Sequence, residues 1–138
     1  MSFILSSNGV QPPPPYPHLS HKEIGQEFCK YYYNAFASNG INGIANLYHP
    51  EALITFLEEE CVGSVAFSQK LNNLGLTRLL FNNLVGTTQP HNNDTVIISV
   101  SGDCCAHTNH WGKFSDVFVI SLMGGNWVIV HHIFKVVV

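Results

Sequence analysis

Residues 114–134 read FSDVFVISLMGGNWVIVHHIF, and this stretch decides the fold. Residues 117–120 and 127–130 are β-branched or aromatic at successive positions, which is typical of strands. Gly124-Gly125 between them supplies the positive φ angles of a tight hairpin. Successive side chains of a strand point to opposite faces, so both faces of this hairpin are predicted to be covered. Helices can cover one face, and we predict that a second copy of the chain covers the other, in a homodimer through the sheet.

Working outward, similar segments predict further strands at residues 52–57, 78–88 and 95–106. Turn-forming residues 92–94 and 108–109 separate the late strands. The sheet is therefore expected to be largely antiparallel, because short turns join successive strands.

Helical spacing appears earlier in the chain. Ser20 and Glu23 have the spacing of a capping box, and Gly40 is placed to end the first helix. The apolar face of that helix is predicted to contain Ile24, Phe28, Tyr31, Tyr32, Ala35 and Phe36.

A second, short helix is predicted over residues 41–48, ended by His49-Pro50, and a third over residues 65–74. Helices that precede long antiparallel strands indicate an α+β domain. We expect the helices to pack against one face of a curved sheet.

The 138 residues suit one domain. Pro12 to Pro15 fall in residues 1–19, which are predicted to be a flexible, proline-rich tail, and the ordered domain is expected at residues 20–138. Only 11% of residues are charged, which suggests that part of the surface meets a partner. The formal charge of −3 disfavours binding to nucleic acid or to an anionic membrane.

Metal and nucleophile motifs are missing from the sequence. The four cysteines and eight histidines have no zinc-ligand spacing, and no GxSxG, GxxxxGK[ST] or GxGxxG pattern occurs. No apolar run approaches the ~18 residues of a membrane span. These features predict a soluble intracellular protein with reduced thiols, without a cofactor or a metal.

Acidic residues suggest two hypotheses about a functional site, one catalytic and one for binding a partner. Asp116, if it faces the core, would suit general-base chemistry with Tyr48 or His132 polarising a substrate carbonyl; otherwise it is an ordinary hydrogen-bonded carboxylate. The triplet Glu58, Glu59 and Glu60 is either a solvated turn or an electrostatic rim beside an apolar pocket floored by Phe56.

From Ser20 onward, the residue order resembles the nuclear transport factor 2-like family over about residues 20–135. The matching segments are Ile24-Gly25-x-x-Phe28, Tyr32-Tyr33, Phe36, Leu47-Tyr48, Thr55-Phe56, Gly63, Lys70-Leu71-x-x-Leu74, Gln89-Pro90, Ile97-Ile98-Ser99, Phe114, Phe118, Trp127 and Ile133-Phe134-Lys135. The fold that this resemblance implies is a cone of strongly bent antiparallel sheet around three helices, dimerised through the sheet.

The resemblance also implies a non-enzymatic nuclear transport carrier that binds GDP-bound Ran and FG-repeat nucleoporins, in the cytoplasm, the nucleus and the nuclear pore. In the family, an apolar cavity accepts an aromatic side chain of Ran. The matching positions here are Phe56, Leu74, Leu76, Leu79, Ile133 and Phe134, with Glu58, Glu59 and Glu60 as the acidic rim.

The chain departs from the family pattern at recognisable positions. Leu57, His107 and Asn109 stand where the family carries rim acids, and His21 replaces an aromatic residue that helps to bind FG repeats. His131-His132 replaces Asn-Asp. Two alternatives therefore remain open: an adaptor in messenger-RNA export or RNA granules, and an enzyme similar to ketosteroid isomerases or scytalone dehydratases.

Overall fold

The computed structural model describes residues 2–5, 20–76, 78–106 and 110–137. Within these ranges the strands are β1 (Ser2–Ile4), β2 (Tyr48–Phe56), β3 (Glu59–Val62), β4 (Leu80–Asn92), β5 (Thr95–Cys105), β6 (Gly112–Met123) and β7 (Asn126–Val137). They form one curled, unclosed sheet in the order β1-β4-β5-β6-β7-β2-β3. All neighbours are antiparallel except β2 and β7, which are parallel.

Three α-helices accompany the sheet in the described ranges: α1 (His21–Asn39), α2 (Ile41–Ile44) and α3 (Gly63–Asn73). The predicted capping box is confirmed, since the Glu23 amide donates to the Ser20 hydroxyl and the Ser20 amide to the Glu23 carboxylate, each at 3.2 Å. Gly40, at φ +65°, ends α1 as predicted. None of these helices is long and apolar enough to span a bilayer.

The helices pack inside the curl of the sheet, which confirms the predicted α+β cone. Helix α1 lies on β4 and β5, and α3 lies on β2. The close approach of α1 requires Gly25, because a Cβ there would overlap the methyl group of Thr88. Phe28 and Phe118 meet edge to face across this interface, with ring centroids 6.0 Å apart.

The predicted β6–β7 hairpin is confirmed. Gly124 and Gly125 have φ angles of +58° and +82°, and Met123 pairs with Asn126 across the turn. Residues on β6 alternate between buried and half-buried, so the hairpin places one row of side chains in the core and another on the outer face.

The second predicted helix is shorter than expected. Helix α2 ends at Ile44, a 3₁₀ turn covers Ala45–Leu47, and Tyr48 already belongs to β2. Tyr48 pairs with Ile129 of β7, and the register then shifts before Leu53. Pro50 lies in this irregular stretch, where a missing amide hydrogen breaks no regular ladder.

The predicted flexible tail needs a correction at its start. Residues Ser2–Ile4 form β1 rather than a free chain, because Phe3 buries its ring against Gly86 of β4. The rest of that prediction, residues 6–19, lies outside the described residues. The same holds for His107 and Asn109.

Candidate partner-binding site and buried polar chain

Two aromatic rings meet where β2 ends. Phe56 and Phe134 are both buried and stack with ring centroids 4.6 Å apart and an interplanar angle of 16°. Phe67 packs on Phe56 at 5.5 Å, and Phe114 packs on Phe134 at 5.6 Å. At this separation the Phe56 and Phe134 rings leave no room for another side chain between them.

The other four predicted cavity residues are spread over different environments. Leu79 is buried and Leu76 is partly buried against the core. Leu74 is 51% exposed. Ile133 is also exposed and lies on the outer face of β7, opposite Phe134, because successive strand residues alternate. The structure thus brings Phe56 and Phe134 together and separates Ile133 from them.

The acidic triplet borders a surface depression that includes Leu74. Glu59, Glu60, Lys70 and Leu74 line it together. The Lys70 ammonium donates to Glu59 at 2.5 Å, and this hydrogen bond lowers the pKa of the Glu59 carboxyl. Within the described ranges, Glu58 and Glu60 form no ion pair, so their charge is available to a basic partner.

A two-residue turn joins the strand β2 to the acidic strand β3. Leu57 and Glu58 form it with φ angles of +51° and +72°, and Phe56 pairs with Glu59 across it. The left-handed region costs an ordinary residue about 1–2 kcal/mol. The Leu57 amide donates to the Phe134 carbonyl at 3.2 Å, which holds the strained turn against β7. The turn leaves Leu57 38% exposed.

The core of the cone contains a hydrogen-bonded chain of five buried side chains. The Tyr33 hydroxyl donates to Oδ2 of Asp116 at 2.6 Å. Nε2 of His132 lies 2.6 Å from Oδ1 of Asp116, and Nδ1 lies 2.9 Å from the Tyr48 hydroxyl. The Tyr48 and Tyr32 hydroxyls are 3.0 Å apart.

Every link of this polar chain joins groups that can act as donor and acceptor. A carboxylate only accepts, so Nε2–H of His132 donates to Asp116. On its other side, Nδ1 of His132 shares a hydrogen bond with the Tyr48 hydroxyl, which shares another with the Tyr32 hydroxyl. Burial raises the pKa of Tyr33 well above its usual range, and the Asp116 charge adds to the shift, so Tyr33 remains a donor.

The side chains of this polar chain already use their hydrogen-bonding groups on one another. Both Asp116 oxygens and both His132 nitrogens already have side-chain partners, so a substrate would have to displace one of them. Burial also raises the pKa of the nearby Cys29 thiol, which disfavours a thiolate nucleophile. Among the described residues, no group of three or more His, Cys, Asp or Glu side chains could hold a metal ion.

Sequence reasoning had grouped Asp116, His132 and Tyr48, and the structure brings these three together. Sequence reasoning did not identify Tyr32 and Tyr33 as members of this polar chain. The consecutive tyrosines at 31–33 were a signal, since two polar hydroxyls on the buried face of a helix require partners.

The outer face of the sheet carries a half-buried apolar patch. Its members share the outward orientation on β5, β6 and β7 and are Ile97, Val117, Val119, Val128 and Val130. Ile97 pairs with Val119, and Val117 pairs with Ile133, so the patch is continuous across neighbouring strands.

These features define the class of the protein: a cone of curled sheet around helices, with a polar chain inside and an apolar outer face. The chain belongs to the Nuclear transport factor 2 (NTF2) domain family, whose model matches residues 24–136. This match covers most of the described domain.

Named relatives agree with the family assignment. The chain is 26% identical to nuclear transport factor 2 of Candida glabrata, over 85% of this chain and 94% of the relative. It is 25% identical to nuclear transport factor 2 of Saccharomyces cerevisiae, over the same shares of the two chains. The solved structure of nuclear transport factor 2 from Cryptosporidium parvum matches with a TM-score of 0.73 at 26% identity, covering 94% of this chain and 100% of that one.

Proposed function

We propose that this chain is a non-enzymatic transport adaptor that binds the GDP form of a Ran-type GTPase. The observation that supports it is one exposed surface, here called the acidic docking surface, in a chain of the NTF2 family. Its members are Leu57 and Glu58, which form the β2–β3 turn, and Glu60 and Leu74, which line the depression that begins at the next residue, Glu59. It combines two exposed apolar side chains with two carboxylates that form no ion pair within the described residues.

The chemistry of this surface fits an aromatic side chain flanked by basic residues. The ring would cover Leu74 in the depression that Glu60 also lines, and burying one Phe side chain contributes about 2–3 kcal/mol. Glu58 and Glu60 would steer and orient the basic flanks, an effect that acts mainly on association rate and specificity. Entry between Phe56 and Phe134 would first require their rings to separate.

The apolar outer face supports a homodimer as part of the same proposal. Pairing two copies through Val117 and Val119 would cover side chains that are half-buried in one chain. FG-repeat nucleoporins would bind along the boundary between protomers, and the adaptor would move between cytoplasm and nucleus through the nuclear pore.

Charge reversal tests the electrostatic part of the proposal. The double substitution Glu58→Lys and Glu60→Lys is expected to reduce the association rate with GDP-loaded Ran about tenfold at low salt. Glu51→Lys makes the same kind of change at an exposed residue of β2 outside the surface and is the control. Equal rates for all three proteins in surface plasmon resonance would contradict the proposal.

Leu57 favours a second candidate function. It stands exposed where the family carries an acid, so the surface has less charge and more apolar area than a Ran-binding rim. Such a surface suits an adaptor of the messenger-RNA export or RNA-granule type. Affinity purification followed by mass spectrometry separates the two: the second function predicts export or granule proteins in place of Ran and nucleoporins.

A further inference from the structure

Strand β1 occupies the edge of β4. Ser2, Phe3 and Ile4 pair with Thr87, Gly86 and Val85, and β1 is the outermost strand of the sheet. Without β1, β4 would present its unpaired amides and carbonyls to an incoming strand.

Phe3 is a specific anchor in this pairing. It is 6% exposed although its strand has only three residues. Its ring lies over Gly86, where a Cβ atom would overlap it. Gly86 therefore creates a recess that accepts a flat aromatic ring and that any larger residue would fill.

A second recess follows along the same edge. Leu5 shares the face of Phe3, and its amide donates to the Leu84 carbonyl at 3.2 Å. Leu5 borders a partly open cavity of about 150 Å³. Its lining includes Cys29, Tyr33 and Phe81 on one side and the polar residues Lys30, Asn34, Asn82 and Asn83 on the other. The leucine thus underfills the space beside it, since a cavity of this size can accept a six-membered aromatic ring.

Strand β1 is held in place by few residues. It has three residues, and Ile4 is 77% exposed. Short edge segments with few buried contacts open at low cost compared with the core. A peptide that fills both recesses would therefore compete with the chain's own residues 2–5.

We propose that the edge of β4 is a peptide-binding site for an extended aromatic-x-aromatic segment, which residues 2–5 of this chain occupy in a weaker, underfilled form. The peptide adds a strand antiparallel to β4. Its first ring enters the Gly86 recess, and its second ring enters the cavity beside Cys29 and Tyr33. This site is separate from the acidic docking surface and does not depend on the proposed transport function.

The test uses the full chain with Phe3→Ser, which empties the first recess. The probe is a fluorescently labelled Ser-Phe-Ile-Trp-Ser peptide, followed by fluorescence polarisation. We expect it to bind this variant about tenfold more tightly than the unchanged chain, because the tethered strand no longer competes. Adding Gly86→Ala should abolish binding, whereas adding Gly112→Ala should not, since nothing lies within 4 Å of a Cβ at Gly112.

Three outcomes would overturn the proposal. The first is the absence of saturable binding to the Phe3→Ser chain, and the second is binding that survives Gly86→Ala. The third is a loss of dimers on Phe3→Ser in light scattering, which would mean that the edge joins two copies of the chain instead.

A second variant tests the site without emptying it. Leu5→Trp in the intact chain should fill the cavity and slow hydrogen exchange of the residue 5 amide about tenfold. Faster or unchanged exchange would show that the recess does not accept a ring, and the proposal would fail even if the Phe3→Ser variant did not fold.

Discussion

Nε2 of His132 lies 2.6 Å from Oδ1 of Asp116 in the core of the cone, and the two side chains are 2% and 1% exposed. Tyr33 holds the other carboxylate oxygen and Tyr48 the other ring nitrogen. The pair therefore joins α1, β2, β6 and β7, and its first role is to hold the four elements together. Four predictions concern stability and assembly, and the last prediction tests the proposed function.

Removing Asp116 should be strongly destabilising. Asp116→Ala leaves the Tyr33 hydroxyl and His132 Nε2 without their partner, and each buried polar group left unsatisfied costs about 1–3 kcal/mol. Urea unfolding followed by circular dichroism measures this change in the free energy of unfolding. Asp94→Ala, at an exposed turn, is the control and should stay within about 0.5 kcal/mol. A loss below about 1 kcal/mol for Asp116→Ala would contradict the structural role.

Stability should also fall at alkaline pH. Burial raises the pKa values of Tyr32, Tyr33 and Tyr48 above 10.0 in the folded protein. Above pH ~10 the unfolded chain loses these protons while the folded chain keeps them. Each tyrosine then lowers the free energy of unfolding by about 1.4 kcal/mol per pH unit, until the folded form also ionises.

The measurement is the free energy of unfolding as a function of pH from 8 upward, a range chosen to bracket ~10. Tyr33→Phe removes one ionising group and should make the alkaline slope shallower, although it also costs the hydrogen bond to Asp116. A slope that is the same in both proteins would show that Tyr33 does not stay protonated in the fold.

The β2–β3 turn should store strain that glycine relieves. Leu57→Gly places a residue without a Cβ at φ +51° and should raise the free energy of unfolding by about 1 kcal/mol. Leu53 is also 38% exposed but lies in extended β2, so Leu53→Gly should destabilise. Thermal unfolding of both variants checks the contrast. Destabilisation by Leu57→Gly would mean that contacts of the Leu57 side chain stabilise the fold by more than the backbone strain destabilises it.

The outer face of the sheet should control assembly. Val119→Lys places a charge in the middle of the apolar patch and should convert the proposed dimer to a monomer, because burying an unpaired ammonium is costly. Val65 is exposed on α3, and Val65→Lys should leave the proposed dimer intact. Light scattering reports the molar mass directly. A monomer in the unchanged chain, or a dimer in both variants, would contradict pairing through this face.

Local patterns predicted most of the secondary structure. The capping box at Ser20, the glycine hairpin at Gly124 and the apolar periodicity of α1 each depend on a few neighbouring residues, so a sequence displays them. Strands β1 and β3 were not predicted, because each is short and is specified by its partner strand rather than by its own pattern. The sequence also did not indicate that β2 begins at Tyr48, because Pro50 is atypical of a strand interior.

The candidate site was only partly predictable because its geometry is long-range. Tyr33 and Asp116 are 83 residues apart, and Tyr48 and His132 are 84 apart, so no local pattern joins them. Strand alternation places Ile133 and Phe134 on opposite faces, although both were predicted for one cavity. The positive φ of Leu57 is a property of the folded turn and leaves no sign in the sequence.

The most direct test of the proposed function is a calorimetric titration of this protein with Ran loaded with GDP and, separately, with GTP. The account predicts saturable binding of the GDP form at least about tenfold tighter than that of the GTP form. It also predicts that Leu74→Lys weakens the complex while Val65→Lys does not. Equal affinity for both nucleotide states, or no binding to either, would contradict it.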